Sequence, residues 1–335
     1  MEIRKIKMFK AILIFLLLVS ILAVCITTSI AQTEQVLLRL SHSGAESGIY
    51  AQTYKYFSEQ VEKESQGSVK VQYYFSGSLI SDAEVLENIM AGTVDISHFQ
   101  TSYVSTTISE LIPFEIPGCC SFSKDIFPKF DEITTPIIQD IFKKYGAIYL
   151  GPLPQTTLVF IGDREVHSPA DLEGALVRTS GKWFGDAVTM WGGTPMTISI
   201  GDLPTSLERG VVDLACTAWA AVEDHNLYEV ADFCNVTNIM EVFAGLIISE
   251  KSWNKLSNDQ KEAIKRAWET ASTVHMDRID AGYKDLLKLA EENNCKIYEL
   301  TDNENESFKD VSNQLLEQVK EVSGTALIDG FKKLN

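Results

Sequence analysis

The sequence predicts an α/β protein of two units built to one plan, with a long helix near its C-terminus. Three observations carry this. Short apolar runs alternate with helical patterns from Val36 onward, which is the signature of sheets covered by helices. Gly92-Thr93-Val94-Asp95 is echoed by Gly210-Val211-Val212-Asp213, each at a helix-to-strand junction. No proline follows Pro204, and Ser257-Asn258-Asp259-Gln260 has the form of a capping box, so one helix can run from there to about Asn293.

In chain order, residues 36–41 (VLLRLS) read as a strand, with His42 at its end. Tyr50, Tyr54, Phe57 and Val61 follow at helical steps, and residues 69–75 alternate as a second strand. Ser81-Asp82-Ala83-Glu84 opens a helix that ends at Gly92, and residues 94–99 form a strand running into Gln100 and Tyr103. This repetition predicts a mainly parallel sheet. The stretch from Phe114 to Cys120 reads as a loop, residues 136–145 as a helix and 148–151 as a strand.

A second unit starts near Pro152. Ser168 is a good N-cap, with Pro169 in the first helical position and Asp171 in the first turn, where the helix dipole favours a carboxylate. Residues 175–178 (ALVR) are a strand, 183–191 and 202–209 are helices, and a last strand runs into Cys216-Thr217-Ala218-Trp219. The long helix, roughly 35 residues, would span ~50 Å. That exceeds one unit, so it should lie across both; a shorter helix kinked near Gly282 is the alternative.

The chain has 335 residues, 45% apolar and 22% charged, enough for about two domains. Arg4, Lys5, Lys7 and Lys10 precede an uncharged run from Ala11 to Val24, and Ser29-Ile30-Ala31 offers small residues for a peptidase. Residues 1–31 therefore read as a signal peptide cleaved near Ala31. An uncleaved membrane anchor is the competing reading, and lipidation at Cys25 is disfavoured by Val24 before it. Either leaves the body of the protein periplasmic or otherwise extracytoplasmic.

The formal net charge of −17 argues against nucleic acid or an anionic membrane as partner. It leaves room for an anionic ligand, because one cation in a closed cleft outweighs screened surface charge. Cys119, Cys120, Cys216, Cys234 and Cys295 follow the leader without regular spacing. That is a poor disulfide framework, although Cys216 could pair with Cys234. No CxxC, HExxH or HxH occurs among the cysteines and five histidines, and neither metal nor cofactor is expected.

In open α/β sheets, ligands bind beyond the carboxyl ends of the strands. The residues at those ends are His42, Gln100 and Tyr103 in the first unit and Arg178, Thr217 and Trp219 in the second. The set offers one fixed cation, neutral donors and aromatic walls. It holds no nucleophile–base pair. The guanidinium of Arg178 matches a carboxylate in two parallel hydrogen bonds; the alternative is an internal ion pair with Asp171, Glu173 or Asp202. Ser121-Phe122-Ser123-Lys124 fits S-x-x-K but lacks the accompanying S-D-N and K-T-G elements. The two Gly-x-Val-Asp aspartates read as turn anchors, not as paired acids.

Several motifs together resemble a known family. They are SGSLISDAEVLENIMAGTVDIS (76–97), SPADLEGALVRTS (168–180), GGTPMTISIGDLPTSLERGVVD (192–213), YEVADF (228–233) and SWNKLSNDQKEAIKRAW (252–268). In order and spacing they are similar to DctP-type solute-binding proteins of tripartite ATP-independent periplasmic (TRAP) transporters. The resemblance implies a two-domain periplasmic-binding-protein-like fold with a hinge and a long C-terminal helix bracing both domains. It implies domain I at 32–151, completed by part of 247–335, domain II at 152–246, and the spanning helix at 257–293.

The resemblance further implies a receptor, not an enzyme. A small organic acid would be held by the strand-end arginine, here Arg178, with His42, Asp82, Gln100 and Tyr103 facing Thr217 and Trp219. The partners implied are that ligand and the small and large membrane permease subunits. Two departures bear on the ligand. Cys216-Thr217 stands where the family often has Glu-Asn, so a hydroxyl replaces an amide. Leu158 stands where sialic-acid-binding members carry a second arginine, with Arg164 out of register, so sialic acid is not expected. A small mono- or dicarboxylate, or an aromatic acid against Trp219, fits better. The rival readings are a sensory receptor and a secreted hydrolase using the same cleft.

Overall fold

A computed structural model describes residues 35–119, 126–153 and 156–334. The leader, Cys120 and the S-x-x-K residues lie outside these. Two sheets form the frame. The first has the order β2-β1-β3-β10-β4, from β1 (Val36–Ser41), β2 (Val69–Tyr74), β3 (Ile96–Gln100), β4 (Ala147–Pro152) and β10 (Ala244–Ser249). The second has the order β11-β9-β5-β8-β6-β7, from β5 (Thr157–Gly162), β6 (Leu176–Thr179), β7 (Thr194–Thr197), β8 (Leu214–Ala218), β9 (Phe233–Glu241) and β11 (Lys296–Glu299).

Both sheets are mixed; in the second, three of the five strand pairs are parallel, β9–β11 among them. β1 and β3 are parallel, as are β6, β7 and β8, but β10 runs antiparallel to β3 and β4, and β5 antiparallel to β8 and β9. The reason is that the chain changes sheets between β4 and β5 and again between β9 and β10. The crossings lie side by side, with Leu153 N donating to Ala244 O at 2.9 Å. Cys216 on β8 and Cys234 on β9 are both free thiols. With β5 between their strands they lie about 10 Å apart, two interstrand spacings, which is beyond disulfide reach.

The expected helices form around this frame: α1 (Ile49–Glu64), α2 (Val85–Ala91), α3 (Phe127–Lys143), α4 (Lys182–Met190), α5 (Leu203–Glu208) and α7 (Asn258–Glu292), with a short α6 (Trp219–Asp224) that the sequence reading did not include. Two expected helices differ from the sequence reading. Helix α3 starts nine residues before Pro136 and runs through it. Proline removes one intrahelical bond, and here both Pro136 and Glu132, whose carbonyl is released, face solvent. The expected helix after Ser168 is a single 3-10 turn, Pro169–Leu172, with His167 N and Ser168 N both donating to Asp171 Oδ2. The loop read between Phe114 and Cys120 is in part a 3-10 helix, Ser109–Glu115.

The repeated Gly-x-Val-Asp motif does the same thing twice. Gly92 and Gly210 both turn with positive φ, +73° and +64°, which glycine adopts at no steric cost. Asp95 Oδ2 then accepts from Arg39 N within β1 (2.9 Å), and Asp213 Oδ2 from Leu176 N at the start of β6 (2.8 Å). Each aspartate thus ties a central strand to its parallel neighbour.

Helix α7 is one unbroken 35-residue helix. Its first half packs on α1, where Trp268 stacks on Tyr54 and meets Phe57 edge-on. Gly282 lies against Ile49 and Trp219, which a β-carbon there would meet at 3.1 and 3.3 Å, and Tyr283 packs on Trp219 at 5.4 Å. The missing side chain therefore lets the helix touch α1 and α6 at once, without a kink.

Asp95 also accepts from Ser252 Oγ at 2.6 Å and pairs with Arg39 Nε at 3.1 Å. Asp95→Ala strands these donors, so it should cost about 2–4 kcal/mol. Lys288→Ala, which removes an exposed pair on α7, should change stability by less than about 0.5 kcal/mol. Thermal unfolding of the two variants beside the parent checks this.

Candidate functional site

The carboxyl ends of β1, β3, β6 and β8 converge on one cavity. It is partly open to solvent, and the convergence of a few polar groups from several strand ends is what small-molecule sites share. His42, Asp82, Gln100 and Tyr103 line it from the first-sheet half, and Arg178 and Thr217 from the second. Trp219 does not line it. As the first residue of α6 it turns its indole away from the cavity and onto Tyr283 and Gly282 of α7. An aromatic wall at that position is thereby removed.

Arg178 is 2% exposed. Its Nε donates to Ile198 O at 2.8 Å and its Nη1 to Cys216 O at 3.3 Å, while the Tyr103 side chain meets it from across the cavity. Burial lowers its pKa, with Tyr103 and Cys216 opposing, from a value so high that the group stays cationic. The alternative of an internal ion pair is not realised. Asp171 is used by its own turn, Asp202 accepts from Ser199 Oγ, and among the described residues no carboxylate pairs with Arg178. The two carbonyls orient the guanidinium and leave further N–H groups for a ligand.

His42 is buried and receives the Gly44 N–H on Nδ1 at 3.1 Å. That contact puts the ring proton on Nε2, so His42 is a neutral donor. Burial pushes its pKa down to about 3, with His225 and His275 adding to the effect. Burial raises the Asp82 pKa, partly offset by a hydrogen bond from Ser43. Among the described residues, the cavity joins one fixed cation to neutral donors and two carboxyls, Asp82 and Asp224.

Sequence reasoning passes over Asp224, His225, Tyr50 and Ser180, which also line the cavity. Ser180 follows Arg178 by two residues and Tyr50 opens the helix after β1, so both lie within reach of strand-end logic. Asp224 and His225 sit a full helical segment past Trp219 and carry no such signal. Asp224 approaches α1 so closely that a β-carbon at Gly48 would stand 1.9 Å from its Oδ1. Burial, then the neighbouring Glu223, raise the Asp224 pKa to about 7.

Between about pH 3 and pH 6.5 the unfolded chain binds a proton on His42 that the folded chain refuses, so this residue makes the fold less stable as pH falls through that window. The expected outcome in a histidine-resolved NMR titration is no protonation of His42 between pH 8 and pH 5. A midpoint near 6.5 would contradict the buried, Gly44-bonded ring.

The profile of the bacterial extracellular solute-binding proteins, family 7 (DctP), matches residues 40–322. The ectoine-binding periplasmic protein TeaA of Halomonas elongata is 22% identical over 87% of this chain and 86% of its own length. The C4-dicarboxylate-binding protein DctB of Bacillus subtilis is 22% identical over 88% of this chain and 85% of its own. Among solved structures, a TRAP periplasmic solute-binding protein of Chromohalobacter salexigens with bound D-glucuronate superposes with a TM-score of 0.83 at 20% identity, covering 89% of this chain and all of that one (100%). DctP7 of Bordetella pertussis, a receptor binding pyroglutamic acid, gives 0.81 at 16% identity over 89% and 99%. With nearly its whole described length matched, the chain belongs to the DctP family of TRAP transporter solute-binding proteins.

Proposed function

We propose that this chain is the extracytoplasmic receptor of a TRAP transporter, that it captures a small organic acid by a salt bridge from Arg178, and that it delivers the acid to the small and large membrane permease subunits. The observation that carries the reading is Arg178 itself: fully buried, oriented by two carbonyls, lining the cavity and paired with no carboxylate among the described residues. A guanidinium so placed is costly unless an anion joins it. The bound acids of relatives, a sugar acid in one and pyroglutamic acid in another, support the ligand class.

In this reading, residues 32–151 with part of 247–335 form domain I and residues 152–246 form domain II. Arg178 and Thr217 hold the ligand from domain II; His42, Asp82, Gln100 and Tyr103 meet it from domain I. The two crossings between the sheets act as the hinge. Closure excludes water, which strengthens every polar contact to the ligand, and the ligand shifts the population toward the closed form that docks on the permease. A leader at residues 1–31, removed near Ala31, exports the chain to the periplasm.

A thermal-shift screen against small carboxylic acids tests the reading. An acid present at about 100 times its Kd should stabilise the parent by about 2.7 kcal/mol. Arg178→Lys keeps the charge but loses the planar fork, so it should bind the same acid about 100-fold more weakly. An equal shift in parent and variant would remove Arg178 from the binding role, and silence from every acid would remove the ligand class.

A further inference from the structure

Behind the Arg178 cavity lies a second chamber, which shares Gln100, Ser180, Thr217 and Ala218 with it as walls. Phe114, Leu158 and Phe184 make much of the rest apolar. Three further polar side chains line the chamber, Thr101, Ser102 and Glu115, of which Thr101 donates to Phe243 O.

Glu115 is 3% exposed. Neither of its carboxyl oxygens, nor the Ser102 hydroxyl, makes a hydrogen bond of ordinary geometry among the described residues; Ser105 is the polar side chain beside the carboxyl. The neighbouring base is Lys182, whose ammonium is taken by Asp186. A buried carboxyl with neither oxygen in an ordinary hydrogen bond among the described residues is a costly arrangement that a donor-rich partner relieves. A ligand carboxylate would be repelled there. A hydroxyl supplies one donor and no charge, whereas an ammonium supplies three donors and the compensating charge.

We infer that the ligand is an amino acid in the broad sense, a zwitterion whose carboxylate sits on Arg178 and whose ammonium enters the rear chamber to meet Glu115 and Ser102. The inference rests on the reading of Arg178 as carboxylate anchor and narrows it. It disfavours dicarboxylates and neutral hydroxy acids for this chain. Burial, which raises the Glu115 pKa to about 7 with Ser105 and Lys182 opposing, is the cost that a cationic ligand group would offset.

The competing role for Glu115 is structural. A β-carbon at Gly181 would stand 2.6 Å from Glu115 Oε2, so the carboxyl also lies at the start of α4, where the helix dipole favours it. The two roles separate in a binding experiment. Isothermal calorimetry on the purified chain would use matched acids differing in one group: alanine and lactate; 4-aminobutanoate, 4-hydroxybutanoate and succinate; 5-aminopentanoate, 5-hydroxypentanoate and glutarate.

The expected result is that, in at least one set, the amino member binds at least tenfold more tightly than its hydroxy and dicarboxylate counterparts. Glu115→Gln should abolish that preference, bringing the amino and hydroxy members of the set to within about twofold of each other. A purely structural Glu115 would change melting temperature and leave the preference intact, which overturns the inference. So does a parent that favours the hydroxy or dicarboxylate member in every set, a ranking independent of whether the variant folds. Those outcomes leave the anchor standing, whereas a parent that binds no member of any set removes the anchor reading and this inference with it.

Discussion

A guanidinium enclosed by protein and paired with no carboxylate among the described residues is the constraint around which this molecule is arranged. Arg178 sits on β6, and both carbonyls that orient it come from the same sheet neighbourhood, Cys216 from β8 and Ile198 from the segment after β7. Strand order β8-β6-β7 is therefore what fixes the direction of the fork. Asp213 ties β8 to the start of β6 through Leu176 N, so the position of Arg178 depends on an aspartate at the far end of its strand. The remaining polar side chains around the cavity are neutral donors or carboxyls, with Ile200, Ala218 and Ala221 between them, and the proposed organic acid would supply the counter-charge that Arg178 lacks.

The two halves of the chain repeat one another more deeply than the echoed motif indicates. Helix α1 follows β1 and begins at Gly48; helix α4 follows β6 and begins at Gly181; neither start is capped by its own side chain. In each case a carboxyl from the opposite half fills the space that the glycine leaves, Asp224 at Gly48 and Glu115 at Gly181. Burial raises both carboxyls to about pKa 7. The cavity is thus flanked by two reciprocal contacts between the halves, each needing a residue without a side chain at a helix start. In the proposed hinge mechanism such contacts would form as the halves approach, coupling the cavity's occupancy to closure.

Much of this was legible in the sequence because the signals are local. The Ser257 capping box and the absence of proline give α7 its bounds, and the Gly-x-Val-Asp echo gives the two-unit plan. Strand-end logic brings His42, Gln100, Tyr103, Arg178 and Thr217 to one cavity. What it could not give depends on tertiary context. The mixed sheets arise from β5, β9 and β10, whose apolar runs carry no direction. Pro136 inside α3 is tolerated because it faces solvent, a fact about packing. Trp219 fails as a wall because α6 begins at that residue and rotates it outward, and Glu115 and Asp224 come into play only because glycines elsewhere in the chain make room for them.

The most direct measurement is a crystal structure of the chain with a carboxylic acid that raises its melting temperature. The account predicts both carboxylate oxygens at hydrogen-bonding distance, about 2.7–2.9 Å, from the Arg178 guanidinium, with His42 and Thr217 beside the ligand on opposite sides. A ligand bound elsewhere, or an acid whose carboxylate faces away from Arg178 while the guanidinium keeps only its protein contacts, would contradict it.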